Sequence, residues 1–250
     1  MFDLTGKVAL VTGAATGIGQ GIATALSKQG ARIAVSDLPG RDLTATVAKI
    51  NSHGGVAFAL ALDVTNTKQR EDGVALVERE FGKVNILVNN AGINRPSDGL
   101  SATEENWDTT FNTNVKGGFF LSQRVAPGMI EDKWGRIIFI SSQSGLIAIP
   151  GQPIYCSSKG AIIQAARTLG VEWAKHGITV NTIAPTFIRT ELTEKRLQDP
   201  EFLSFVLGKI PCGELAEIDD VANAAVFLAS KEAKMVNCHT LCVDGGWTVW

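Results

Sequence analysis

Tyr155 and Lys159 stand four residues apart in Ile154–Lys175, a stretch whose apolar spacing predicts a helix, so their side chains share one face. A phenol titrates near pH ~10 and is a poor base at neutrality. A neighbouring ammonium stabilises the phenolate and should draw its pKa toward the working range. Such a pair could take a proton from an alcohol oxygen or return one to a carbonyl oxygen. Tyr155 is also the only tyrosine of the chain. By itself the Y-x-x-x-K spacing far more often marks an ordinary helix-surface pair. Ser142, thirteen residues earlier, adds weight to the chemical reading. It closes a predicted strand, Arg136–Ser142, and open α/β sheets bind ligands at the C-terminal ends of their strands. Its hydroxyl can hydrogen-bond the reacting oxygen and stabilise developing charge. Ser141 competes for that place, but strand alternation turns only one of the two toward a site. Ser144 reads as a loop or substrate contact.

The elements that must hold these residues alternate along the chain. Strands are predicted at Lys7–Thr12, Ala31–Ser36, Val56–Leu62, Val84–Val88, Arg136–Ser142, Ile178–Ile183 and Thr240–Val243. Most are short apolar runs of the kind buried on both faces. Helical periodicity fills Ile18–Gln29, Arg41–Ser52, Asn66–Phe81, a stretch opening at Thr103, Gly118–Glu131, Ile154–Lys175 and Ile218–Ala229. Ser101 with Glu104 reads as a capping box for the stretch at Thr103. Alternation of this kind predicts an α/β chain: one doubly wound parallel sheet of about seven strands with helices on both faces, spanning 1–250 as a single domain. Pro185–Gly213 is the one long stretch without strand pattern, with breakers at Pro200 and Pro211. It reads as a lid over about 186–213.

Between the first strand and the first helix lies Thr12-Gly13-Ala14-Ala15-Thr16-Gly17-Ile18-Gly19. Gly13 permits a tight turn, Gly17 lets backbone amides approach a pyrophosphate at the positive helix end, and Gly19 allows close helix–strand packing. Asp37 ends the second strand. A carboxylate there accepts hydrogen bonds from ribose hydroxyls and repels a 2′-phosphate, although it could also be a helix N-cap. NAD(H) is therefore favoured over NADP(H), with Arg41 the nearby cation to weigh against it.

The G-x-x-x-G-x-G spacing of Thr12–Gly19 resembles the short-chain dehydrogenase/reductase family, as do Asn89-Asn90-Ala91-Gly92 after the fourth strand and Val243-Asp244-Gly245-Gly246 near the end. The resemblance covers nearly the whole chain and implies a Rossmann-type, NAD-binding catalytic domain. Its serine–tyrosine spacing selects Ser142, and it implies a catalytic set of Asn114, Ser142, Tyr155 and Lys159. Asn114 would hold a water linking Lys159 to solvent, while Asn112, two positions away, should face elsewhere. The implied cofactor contacts are Gly13, Thr16, Gly17, Ile18, Gly19, Asp37, Asp63, Val64, Asn90, Ala91, Gly92, Tyr155, Lys159, Pro185, Ile188 and Thr190. Asp63 and Val64 would hold adenine, and Ile188 and Thr190 the nicotinamide carboxamide or pyrophosphate. Thr186 stands where the family commonly has glycine, so the chain's entry into the lid could differ.

Asn94, Arg95, Ser144 and Gln152 are candidate substrate contacts, suited to a hydroxylated or anionic molecule. The chain in this respect resembles the family's sugar-acid and polyol dehydrogenases. The activity implied is interconversion of a secondary alcohol and a ketone of a polyol, sugar or sugar acid by hydride transfer, with Tyr155 as acid/base. Ile147, Ile149, Ile154 and Phe187 could instead line an apolar pocket for a non-sugar ketone. Two further functions stay open: reduction of a 3-oxoacyl-carrier-protein, and regulation by a dinucleotide-binding protein without turnover.

Composition closes off other classes. With 23 basic and 25 acidic side chains the net charge is −2, and no basic stripe is present, which argues against nucleic acid. No apolar run approaches the ~20 residues of a membrane span, and the start reads directly into a strand rather than a signal peptide. A cytoplasmic enzyme is expected. Cys156, Cys212, Cys238 and Cys242 form no C-x-x-C pair and read as reduced, mostly buried thiols, and the scattered His53, His176 and His239 show no metal-ligand spacing. The resemblance further implies a homotetramer built on about Thr103–Glu131 and Ile154–Lys175, with Trp247–Trp250 buried against a neighbour.

Overall fold

Val8 and Leu10 face one side of the first strand, Ala9 and Val11 the other, and all four are buried. A strand apolar on both faces needs helices above and below it. The structure, a computed structural model, describes residues 1–191 and 193–250. Its elements are β1 (Val8–Thr12), α1 (Gly17–Lys28), β2 (Arg32–Asp37), α2 (Thr44–Asn51), β3 (Val56–Ala61), α3 (Thr67–Phe81), β4 (Ile86–Asn89), α4 (Glu104–Phe111) and a π-helical turn at Asn112–Gly117. They continue with α5 (Gly118–Glu131), β5 (Gly135–Ile140), α6 (Pro153–Trp173), β6 (Ile178–Pro185), α7 (Glu194–Leu197), α8 (Pro200–Lys209), α9 (Ile218–Ala229) and β7 (Thr240–Val243).

The strands form one seven-stranded sheet in the order β3-β2-β1-β4-β5-β6-β7, and every neighbouring pair is parallel. Ile22, Ala23 and Leu26 of α1 pack with Val221, Ala222 and Ala225 of α9 on one face. On the other, Val74 and Val77 of α3 join Leu121, Val125 and Met129 of α5 and Ile162, Ala166 and Leu169 of α6. The expected doubly wound α/β architecture is the one observed. Chain order reverses between β1 and β4, so a crevice opens at the C-terminal ends of those strands.

Several local expectations need correction. β5 ends at Ile140, which leaves Ser141 and Ser142 on the turn beyond it. The predicted capping box at Ser101 and Glu104 is absent: Thr103 is the N-cap of α4 and accepts from the Asn106 amide at 3.1 Å. The segment read as lid holds two helices, not a loop. Asp199 accepts from the amides of Glu201 and Phe202, and Pro200 sits at the first position of α8. Proline there starts a helix, because its missing N–H would have had no partner in the first turn. α8 contributes Val206 to a small apolar cluster with Ile210 and Trp247. Trp247 is thus buried within its own chain, while Val249 and Trp250 are exposed. Thr186 does not need the backbone freedom of glycine, for its φ is not positive. Its amide donates to the Val243 carbonyl at 3.0 Å and ties the lid's start to β7. The four cysteines are free thiols, but they are not buried as expected: Cys156 and Cys238 are half-buried, and Cys212 and Cys242 are exposed. Among the described residues, no helix is long and apolar enough to cross a membrane.

Candidate active site

The crevice at the β1/β4 switch point is a cleft of about 1000 Å³, at the upper end of small-molecule sites. Its floor is the glycine turn. Gly13 has φ +63°, and a Cβ there would lie 2.9 Å from the Ala91 Cα. A Cβ on Gly19 would lie 2.3 Å from the Gly13 carbonyl oxygen. Both positions exclude a side chain so that two backbone segments can touch. Asn90 staples the turn, with Nδ2 donating to the carbonyls of Thr12 and Gly13 at 2.9 and 2.8 Å. Thr12 Oγ1 accepts from the amides of Asn90 and Ala91, each at 3.1 Å.

Thr16 is the N-cap of α1, yet its side chain makes no capping hydrogen bond. The first amides of α1 therefore point into the cleft without a side-chain acceptor, at the positive end of the helix dipole. Asp37 lines the same end of the cleft. Its Oδ2 accepts from the Ala15 amide at 3.0 Å and its Oδ1 from the Leu38 amide at 2.8 Å, which fixes the carboxylate while leaving lone pairs free. Asp63 folds back on Thr65, accepting from its amide at 2.8 Å and its hydroxyl at 2.7 Å. Buried Arg70 holds the Val64 carbonyl at 2.7 Å. Uncapped amides, glycines that a Cβ would block and a fixed carboxylate together fit a dinucleotide laid along the strand ends.

The other end of the cleft holds Ser142, Tyr155 and Lys159. α6 starts with Pro153, which brings Tyr155 and Lys159 into its first two turns. Lys159 is buried at 4% exposure, and its Nζ donates to the Ile140 carbonyl at 2.8 Å. Its own backbone carbonyl accepts the Ser141 hydroxyl at 2.9 Å. Ser141 is thereby occupied in holding the helix, and Ser142, whose Oγ accepts from the Ser144 amide at 3.1 Å, lies beside Tyr155. The lysine Nζ lies 5.5 Å from the centroid of the tyrosine ring.

The expected lowering of the phenol is not found in the protein alone. Burial pushes the Tyr155 phenol up to about 12, against a smaller pull downward from the Ser142 hydroxyl. Burial pulls the Lys159 ammonium down to about 8. Desolvation is the leading cause of both shifts.

Asn114 is buried in the π turn. Its Oδ1 accepts from the Ile93 amide at 2.8 Å, and its Nδ2 donates to the Ile93 carbonyl at 2.9 Å and to Ser158 Oγ at 3.0 Å. It lies close to the lysine: a Cβ on Gly92 would stand 3.3 Å from Asn114 Oδ1 and 3.4 Å from Lys159 Nζ. Asn112, expected to face elsewhere, lines the cleft with Thr113. The i→i+5 pitch of the π turn redirects these side chains relative to an α-helix, and the sequence carries no signature of it.

Every residue expected to contact the cofactor lines the cleft. The substrate candidates divide. Arg95 lines it, whereas Asn94, Ser144 and Gln152 do not. Asn94 Nδ2 donates to Gln152 Oε1 at 2.9 Å beside the cleft. Ile147, Ile149 and the lid's Phe187 pack with Val206 and Ile210 of the lid and with Trp247 near the C-terminus, and none of the three lines the cleft. Thr190 crosses Gly17, with its Cβ 3.7 Å from where a Gly17 Cβ would be. Glu191 and Thr193 join the lining from the lid, and no local pattern in the sequence marks either of them.

Residues 13–248 match the family model described as Enoyl-(Acyl carrier protein) reductase. The chain is 40% identical to D-threitol dehydrogenase of Mycolicibacterium smegmatis over 99% of its own length and 95% of the relative's. It is 36% identical to gluconate 5-dehydrogenase of Gluconobacter oxydans over 100% and 97% of the two lengths. The crystal structure of a gluconate 5-dehydrogenase from Burkholderia cenocepacia in complex with NADP and tartrate superposes with a TM-score of 0.95 at 33% identity, covering 100% of this chain and 98% of that one. The glycine turn, the Ser142, Tyr155 and Lys159 cluster and this full-length similarity place the chain in the short-chain dehydrogenase/reductase family of oxidoreductases.

Proposed function

We propose that the protein interconverts a secondary alcohol and a ketone of a polyol, sugar or sugar acid, with NAD(H) as preferred cofactor and Tyr155 as acid/base. The observation that carries this reading is the placement of Ser142, Tyr155 and Lys159 at one end of a cleft whose other end offers uncapped helix amides and Asp37. The bound dinucleotide would supply the hydride acceptor or donor. The uncapped amides of α1 would receive its pyrophosphate, and Asp37 its adenosine ribose. Ser142 would donate to the reacting oxygen and fix its position. As the phenolate, Tyr155 Oη would accept the alcohol proton in oxidation; as the neutral phenol, it would give a proton to the carbonyl oxygen in reduction. Lys159 would place its positive charge beside the phenolate, held there by the Ile140 carbonyl.

The substrate class is supported by Arg95 in the cleft lining and by the names of the threitol and gluconate dehydrogenases among the relatives. The position of Ile147, Ile149 and Phe187 outside the cleft lining speaks against an apolar pocket. The NAD preference rests on Asp37. The Burkholderia structure with NADP favours the opposite choice for that protein. Assembly through α4, α5 and α6 is supported by exposed Trp107, Phe120 and Val171 on those helices. The deciding experiment measures kcat/KM over polyols, sugar acids and cyclic ketones with each dinucleotide. This reading requires a polyol or sugar acid with NAD to give the highest value. A cyclic ketone or a preference for NADP would overturn the corresponding half.

A further inference from the structure

The lid crosses the cleft at an ion pair. Arg41, just beyond β2, meets Glu191 of the lid with Nη2 3.0 Å from Oε2. The same Oε2 accepts from the Thr16 hydroxyl at 3.4 Å. Arg41, Glu191, Thr16 and Asp37 all line one end of the cleft. Arg41 is raised above its ordinary value, first by its hydrogen bond to Glu191, then by the charges of Glu191 and Asp37. It is the cation at the end where Asp37 stands, and its guanidinium is committed to the lid.

We infer that Glu191 is a specificity-determining residue, which holds Arg41 away from a ribose 2′-phosphate and so favours the dinucleotide with a free 2′-hydroxyl. The inference rests on the placement of the adenosine ribose at Asp37. A phosphate monoester brings a charge of roughly −1.5 to −2, and an arginine fork is its natural partner. Here the fork faces a carboxylate instead, and two carboxylates surround one cation. Opposite rims of the cleft are also joined by the pair, so Glu191 links the position of the lid to the same choice. Both side chains are substantially exposed, at 46% and 67%, so water screens the pair and its effect is moderate.

The test is direct binding, read by quenching of tryptophan fluorescence with NAD⁺ and with NADP⁺. Glu191→Gln should tighten NADP⁺ about fivefold, the effect of one unit charge at contact in water, and leave the dissociation constant for NAD⁺ within roughly a factor of two. In an Arg41→Ala background the same change should give much less, because no guanidinium is released. An unchanged NADP⁺ to NAD⁺ ratio in Glu191→Gln, or an undiminished gain without Arg41, would overturn the inference. Asp37→Ala separates it from the reading on which it rests. A shift with Asp37→Ala but none with Glu191→Gln removes the role of Glu191 alone. A shift with Glu191→Gln but none with Asp37→Ala removes the ribose placement. Both residues of the pair are on the surface, and unchanged thermal melting will confirm that the variants are folded.

Discussion

Lys159 Nζ donates to the Ile140 carbonyl at 2.8 Å, so the last residue of β5 holds the ammonium that faces the cleft. This is a charge kept under the protein surface with one backbone acceptor and, among the described residues, no carboxylate partner. Burial accordingly pulls it down to about 8 from its ordinary 10.5.

The depressed lysine has a consequence for stability. Below pH 8 both folded and unfolded chains carry the proton, and the folded state bears the cost of the buried charge. Between about 8 and 10.5 the unfolded chain holds a proton that the folded one has released, so this group makes stability rise with pH. Lys159→Met removes the effect. The variant should be more stable than wild type at pH 7 by up to about 3 kcal/mol, less the lost hydrogen bond, and that advantage should shrink as the pH approaches 10. Urea denaturation at both pH values measures it. An advantage independent of pH would contradict the buried, charged lysine.

The single tyrosine allows a second check. Ultraviolet difference absorbance of the cofactor-free protein reports Tyr155 alone as a titrating phenol. Burial places its ionisation up to about 12. The folded protein should therefore show no tyrosinate signal at pH 10, while the unfolded chain shows one at half amplitude there. A midpoint at or below 10 in the folded protein would mean that the lysine outweighs desolvation.

The glycine turn predicts a contrast between two substitutions. Gly19→Ala puts a Cβ 2.3 Å from the Gly13 carbonyl oxygen and 2.5 Å from Asn90 Nδ2, both fixed by the staple across the turn. Overpacking of this kind costs on the order of 1–3 kcal/mol and should weaken dinucleotide binding at least tenfold. Gly99→Ala meets nothing within 4 Å and should change stability by less than ~0.5 kcal/mol. Thermal melting and fluorescence titration of the two variants decide it. Equal behaviour would contradict the close approach at Gly19.

Legibility from sequence followed the range of the interactions. Gly13, Gly17, Gly19 and Asp37 were readable because turn, helix end and strand end are local and their spacing is fixed by the backbone. The sheet was readable because β1 and β5 are apolar on both faces. The placement of Asn114 was readable only in outline: its partners Ile93 and Ser158 lie 21 and 44 positions away. Nothing marks the π turn that brings Asn112 into the cleft. Pro200 misled because the same residue stops one helix and starts another, and only Asp199 beside it distinguishes the two. Arg41 and Glu191 are 150 positions apart, and no local pattern predicts their meeting.

The most direct test of the central assignment is Tyr155→Phe, which removes one oxygen and keeps the ring. With the preferred alcohol and dinucleotide, kcat should fall by roughly 10²–10⁴, while the dissociation constant for the dinucleotide, read by tryptophan fluorescence, stays within about a factor of three. Turnover near the wild-type rate with that affinity intact would contradict Tyr155 as the acid/base.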